Sequence, residues 1–572
     1  MSDVQLDQLR AAAERGSISR RDVLTTGLRL GLSSAAILSL MAVAPEASAA
    51  PSTTVGARRV RPQEGQATGR FTMMRDGGAP DLDPHSAYDN TAAAIILGAY
   101  DMLIQFKGES TVEYEPMLAS AWEASPDNSA FTFTIPTGVT FHSGDPCTAQ
   151  TVKDSFTRFL ELGLGPVNVI SRFMESADQM EVVDDVTIRF NLAKPQPLFL
   201  SAMASSYGPF IVNPAAVEAN KTEDDPWAHE WFLGNADGTG PYQLVENAVT
   251  EQVVLAKYDG YHGGWDRPHF DELVVRIVPE NATRRQLIEQ GEVDATVENL
   301  TPEDWAALET NPDIVVVSKP STAVYWIQMN APRLKTPAAR QGFSYAFPYD
   351  DVIAGAYGGR IVRSGPLAST VRTSDPEVFL YPTDLVKAKE LILSAGFAEG
   401  DTFDYLFSGS DSIERTIAQL FQSNVAEMGF TLELTDIDGA TLTSLVYSET
   451  PAEERPMFIG GWGWWPDYND PWNQLDPNFA SHSVNGVGSN GGFYSNARLD
   501  AILEEAKGYE TEEQLATLML EAQNILTEQD PPAIYHGERQ WTYALRADIQ
   551  GFGFNPLYLS AYPFRTMSRA TT

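Results

Sequence analysis

Phe403-Asp404-Tyr405-Leu406-Phe407, then Ser412 to Met428, then Phe430-Thr431-Leu432-Glu433-Leu434 read as strand, helix and strand, with Gly429 ending the helix. The helix before them, Asp384 to Ala395, stops in the same way at Gly396. Glycine closes a helix because it takes the left-handed backbone conformation without steric penalty. A strand–helix–strand unit of this kind predicts a parallel strand pair, and so an α/β protein.

Toward the C-terminus, Met457 to Gly461 reads as another strand. It delivers Gly460-Gly461-Trp462-Gly463-Trp464-Trp465-Pro466-Asp467-Tyr468-Asn469-Asp470-Pro471-Trp472 at its end, the place where open α/β sheets put ligands. Glycine allows close backbone approach and proline stiffens a loop. Tryptophan and tyrosine supply flat apolar walls with a polar handle, and an aspartate within such walls is costly unless it meets a cation. The stretch therefore reads either as the lining of a pocket for an organic molecule with a positive or polar end, or as a Trp-rich core corner with Asp467 and Asp470 capping turns. Helices over 497–507 and 512–528 then lead through Pro531-Pro532 to a last strand near Ala533 to His536.

Toward the N-terminus, Ile314 to Val317 and Val324 to Met329 read as two strands. Thr301-Pro302-Glu303-Asp304 starts a helix with Thr301 at the N-cap and Pro302 at the first turn. Strands are expected at Phe71 to Met74, Phe131 to Ile135 and Leu273 to Val278, a strand pair turning at Asp184-Asp185, and an apolar helix from Thr91 to Leu103.

At 572 residues the chain has room for two or three domains with real cores. The 77 Asp and Glu against 39 Lys and Arg leave a net charge of -38, which argues against nucleic acid and anionic membranes as partners. The single cysteine, Cys147, rules out an intramolecular disulfide and reads as a small buried residue. Residues 1–49 have the form of a signal peptide: Ser19-Arg20-Arg21-Asp22-Val23-Leu24 precedes an apolar run and the small-residue site Ala47-Ser48-Ala49. The arginine pair is similar to a twin-arginine export signal, and no cysteine stands at the cleavage site to carry a lipid. Residues 50–67 read as a polar linker.

No P-loop and no Gly-x-Ser-x-Gly elbow occurs. Gly486-Val487-Gly488-Ser489-Asn490-Gly491 formally matches a dinucleotide fingerprint, but no apolar strand precedes it and no helix opens from it, so a flexible loop is expected. The scattered histidines suggest no metal site. No cofactor is expected.

Taken together, the segments resemble the family 5 (peptide-type) solute-binding proteins of ABC importers. The resemblance rests on Leu82-Asp83-Pro84, on Pro116 to Trp122, on Phe131 to Pro146, on Gly238-Thr239-Gly240-Pro241-Tyr242, on Gly291-Glu292-Val293-Asp294 and on Lys387 to Phe397. It implies two α/β lobes joined by a hinge, type II-like, with an extra subdomain in the first lobe. Lobe I would run over 68–325 and be completed by 535–572; lobe II would fill 326–534. It further implies capture of a small-molecule ligand, most readily a peptide, for an ABC permease and ATPase at the membrane, by a periplasmic monomer that catalyses nothing. Trp464 to Pro471 is similar, position by position, to the family's Trp-x-x-Asp-Tyr-x-(Asp/Glu)-Pro stretch, so Asp467 inherits pairing with a ligand ammonium. Trp462, Trp464, Trp465 and Tyr468 are the expected walls. Gly461 stands where some oligopeptide binders carry an arginine, and the extra tryptophans would also suit an oligosaccharide or an opine. A secreted hydrolase using Asp467 and Asp470 is the competitor from another class.

Overall fold

The computed structural model describes residues 69–297, 300–409, 411–509, 511–558 and 562–570. The expected signal peptide and linker lie outside them. One eleven-stranded sheet runs through the molecule. Its strands in chain order are β1 (Arg70–Arg75), β2 (Tyr242–Ala248), β3 (Gln252–Lys257), β4 (Glu272–Ile277), β5 (Ala295–Val297), β6 (Ile314–Met329), β7 (Ile361–Val362), β8 (Thr402–Ser408), β9 (Thr431–Ile437), β10 (Phe458–Trp464) and β11 (Ala533–Arg546). Across the sheet they lie in the order β9-β8-β10-β6-β11-β5-β1-β4-β3-β2, with β7 pairing β11 from the side.

The two longest strands, β6 with 16 residues and β11 with 14, pair antiparallel in the middle. Strands from 70–297 flank this pair on one side, and strands from 402–464 flank it on the other. It is the connection between the two halves. Its register shifts between Pro320 and Val324 and again between Tyr325 and Trp326, and such irregularities bend and twist a strand pair. The expected break between Val317 and Val324 is therefore a bulge inside one strand. Lys319-Pro320-Ser321-Thr322 interrupts the apolar pattern, but the Ser321 hydroxyl donates to the Arg539 carbonyl and the Thr322 hydroxyl to the Pro556 carbonyl, so these buried polar groups are satisfied without ending the strand.

Local signals built the flanks as anticipated. β8 and β9 pair in parallel from Thr402↔Thr431 to Ser408↔Ile437. The helices beside them are α5 (Leu385–Ser394) and α6 (Ser412–Glu427), whose N-caps Asp384 and Asp411 accept from Lys387 N and Ile413 N. Gly396 and Gly429 follow them in the left-handed region, at φ 94° and 89°. The helix expected from Thr91 to Leu103 is shorter: α1 (Asn90–Ala99) ends because Tyr100 turns extended. A separate four-stranded antiparallel sheet, strands 121–124, 130–134, 187–191 and 180–184 in spatial order, packs against α2 (Ala149–Leu162) and forms a subdomain on the β1 side. Cys147 is buried within it. Among the described residues no helix is long and apolar enough to cross a membrane.

Candidate functional site

The Trp-rich stretch begins inside the sheet. Trp462 and Trp464 belong to β10 itself, alternating with Gly461 and Gly463, so the indoles stand on one face and the glycines on the other. Both glycines are sterically required. A Cβ at Gly463 would lie 2.9 Å from the Tyr325 ring, and Gly461, at φ 70°, would put one 3.0 Å from Glu414. The chain leaves the sheet at Trp465-Pro466 and re-enters order at α7 (Pro471–Phe479). Asp470 is the N-cap of α7, accepting from Trp472 N at 3.0 Å.

Asp467 sits on the loop between, yet it is buried, with only 6% of its surface exposed. It is buried because the loop folds inward against residues far away in sequence. Tyr88, just before α1, donates its hydroxyl to Asp467 Oδ1 at 2.6 Å, across 379 positions. Asn473 donates to Oδ2 at 3.1 Å, and its own Oδ1 accepts from Asp467 N at 2.7 Å. Burial pushes the Asp467 carboxyl above its ordinary range, and the Tyr88 and Asn473 hydrogen bonds pull it back only in part. No described Lys or Arg is paired with it.

The surroundings are aromatic. Tyr88 packs edge-on to Tyr207 at 4.9 Å, and Tyr207 donates to Asn90 at 3.0 Å while its hydroxyl also meets the Trp465 side chain. Tyr88 keeps 45% of its surface accessible although burial raises its hydroxyl well above the usual phenol range. Tyr447, whose ionisation burial and then the Asp467 charge oppose, lies 6.0 Å from Trp462, ring to ring. Trp464 is half-buried with its indole N–H on the Asn473 carbonyl at 3.0 Å, and Trp465 leans on Trp541 at 6.3 Å. Tyr468 is fully buried against Phe173, with its hydroxyl taken by Arg172 at 2.8 Å.

Of the five residues singled out from sequence, the structure thus gathers Asp467, Trp462, Trp464 and Trp465 around one region and turns Tyr468 toward Phe173 and Arg172. Tyr88, Tyr207, Tyr447, Asn473 and Arg172 escaped the sequence reading. Nothing local marks a tyrosine at the end of a loop as the partner of a residue hundreds of positions away. Asp470 is only 1% exposed and engaged by Arg172 and the α7 N-terminus, so it is not a second acid beside Asp467. The 486–491 stretch is no nucleotide loop and is not loose: Ser489 and Asn490 are buried and bonded to Pro477 and Ser483, and the Ser489 carbonyl accepts from Gln328.

The chain belongs to the bacterial extracellular solute-binding proteins, family 5 Middle, whose model matches residues 113–486. It is 28% identical over 513 residues to the probable D,D-dipeptide-binding periplasmic protein of Escherichia coli (strain K12), covering 87% of this chain and 94% of that one. Its fold is that of the ABC transporter-associated periplasmic binding protein of Helicobacter pylori in complex with the peptide STSA, with TM-score 0.73 and 24% identity over 88% of this chain and 98% of that one. A binding protein from Agrobacterium tumefaciens R10 in complex with mannopinic acid matches with TM-score 0.74 and 22% identity, over 88% and 100%. The fold is the two-lobe fold of that family. The protein is a solute-binding component of ABC transport and not an enzyme.

Proposed function

We propose that the protein captures a peptide, or another small organic molecule with an ammonium end, between its lobes in the periplasm and delivers it as a monomer to an ABC permease and ATPase. Lobe I is assigned to 68–325 with 535–572 and lobe II to 326–534; the crossing of β6 and β11 in the middle of the sheet supports a division there. The observation that carries the reading is Asp467: a buried carboxylate among aromatic rings whose hydrogen-bond partners, Tyr88 and Asn473, are both neutral. Burying a charge without a counter-charge is unfavourable by several kcal/mol on the order of magnitude of ion desolvation, and a ligand ammonium at this place relieves that cost. Trp464, Trp465 and Trp462 supply walls, and Tyr468 holds the loop from behind.

The relatives named for D,D-dipeptides and bound to STSA support a peptide. The mannopinic acid complex and the number of tryptophans favour an opine or sugar-like ligand as the second reading, since indoles stack on flat or ring-shaped groups. Mass spectrometry of small molecules released from freshly purified, denatured protein, followed by calorimetry with the released compound and its N-acetylated form, separates the two. Unchanged affinity after acetylation removes the ammonium from the reading. The export route is tested by replacing Arg20 and Arg21 together with lysine, which should abolish periplasmic accumulation if the twin-arginine route is used.

A further inference from the structure

Four consecutive residues of the ligand loop are each bonded to the other half of the molecule. Tyr88 holds Asp467, Arg172 holds Tyr468, the Thr111 hydroxyl accepts from Asn469 Nδ2 at 2.6 Å, and Arg172 holds Asp470. Among these contacts Arg172 brings the only charge. It follows a short helix, Asn168–Ser171, in the subdomain on the β1 side. Its Nη1 donates both to the Tyr468 hydroxyl at 2.8 Å and to Asp470 Oδ2 at 2.7 Å, and its guanidinium carbon lies over Trp472, 3.9 Å from the ring centroid. The pair is removed from water, with side-chain exposures of 14% for Arg172 and 1% for Asp470. A guanidinium suits this place because it can bond two acceptors and stack on an indole at once.

We propose that Arg172 is a positioning residue for ligand capture: it clamps the loop that carries Asp467 from the opposite lobe, and so couples the place of that carboxylate to lobe closure. The inference rests on the reading of Asp467 as the ligand's partner. Its energetic logic is independent of the ligand's identity. Closure buries Asp470 against Arg172, whereas opening gives both back to water, and the same movement carries Asp467 toward or away from Tyr88. Ligand binding and the clamp therefore bias one two-state element, and each strengthens the other.

The test uses the full mature chain with Arg172→Ala, Arg172→Lys and Asp470→Asn. Asparagine still caps α7, so the last variant removes the charge pair and keeps the helix start. Small-angle scattering is recorded without added ligand and at saturating D-alanyl-D-alanine, and the Kd for that dipeptide is measured by calorimetry. Arg172→Ala and Asp470→Asn should each give a more open particle in at least one of the two states and weaken the dipeptide by roughly thirtyfold or more. The double variant should be no worse than either single one, and Arg172→Lys should fall between. Scattering profiles that superimpose on wild type in both states overturn the clamp, as does an additive double variant. If Asp467→Asn weakens the dipeptide but Arg172→Ala does not, the clamp alone falls. If Arg172→Ala opens the particle while Asp467→Asn leaves affinity unchanged, the clamp stands and the ammonium reading falls.

Discussion

Asp83 and Asp467 are both buried aspartates, and their surroundings are opposite. Asp83, in the loop before α1, is completely enclosed. Arg158 from α2 grips both of its oxygens, His229 adds a bond at 3.0 Å, and the Arg158 guanidinium also donates to the Trp227 carbonyl and lies over Phe232. Burial alone would raise the Asp83 carboxyl, but Arg158 and His229 hold it far below the usual carboxylate range. Among the described residues, the side-chain partners of Asp467 are Tyr88 and Asn473, and its carboxyl is raised. A buried charge matched from within is part of the fold's own framework. One left without a counter-charge carries a desolvation cost that the fold does not itself offset, which is why Asp467 is the carboxylate proposed to meet a ligand.

Breaking the matched site should have the largest effect. Asp83→Asn leaves Arg158 buried beside a neutral amide, and the loss of a buried pair is about 3–5 kcal/mol. Urea denaturation should show that loss, with ligand affinity per folded molecule unchanged. A variant as stable as wild type would erase the contrast drawn above. Asp467→Asn should do the reverse. Affinity for an ammonium ligand should fall by two to three orders of magnitude, about 3–4 kcal/mol at roughly 1.4 kcal/mol per tenfold, while stability holds or rises because an unmatched charge has been removed.

Acid sharpens the same comparison. Because the Asp467 carboxyl is raised, it takes up its proton at a pH where Asp83 is still ionised. Affinity for a cationic ligand should therefore decline on acidification from neutral pH in wild type, before the ordinary aspartate range is reached, and stay flat in Asp467→Asn. Stability has the opposite signs at the two sites. Asp83, depressed in the fold, contributes fully above its unfolded value and is lost only as pH falls through its low folded pKa. Asp467, raised in the fold, penalises the native state when ionised, and that penalty fades as pH drops. Melting curves of wild type, Asp83→Asn and Asp467→Asn, carried from neutral pH down to well below the unfolded aspartate range, would expose the two slopes.

Glu414, another buried acid, extends the comparison to alkaline pH. Burial, and then neighbouring Asp411, push its carboxyl up to about 8. With the folded pKa above the unfolded one, the native state loses stability as pH rises from the ordinary glutamate range toward 8. Glu414→Gln should melt higher than wild type at pH 8.5 and nearly with it at pH 5. Equal melting temperatures at pH 8.5 would mean that Glu414 is already ionised and matched, as Asp83 is.

The sequence alone carried every feature set by neighbours within a few residues. The parallel pair β8–β9, the N-cap Thr301, the helix-ending glycines 396 and 429 and the Asp470 cap depend on short-range hydrogen bonds and backbone sterics, and they are legible for that reason. The density of aromatic rings around one carboxylate between Trp462 and Trp472 was equally visible, because a loop and its strand bring those side chains together by themselves.

What only tertiary structure decided is who meets that carboxylate. Tyr88 and Arg172 reach the 467–470 loop from 379 and 298 positions away, and polar residues at 319–322 that look like a break are absorbed as a bulge in β6 because partners from β11 and the 556 region satisfy them. A local pattern states which groups are costly to bury. Whether each one is matched depends on the long-range packing that surrounds it, and that packing separates Asp83, gripped by Arg158 and His229, from Asp467, bonded to the neutral side chains of Tyr88 and Asn473.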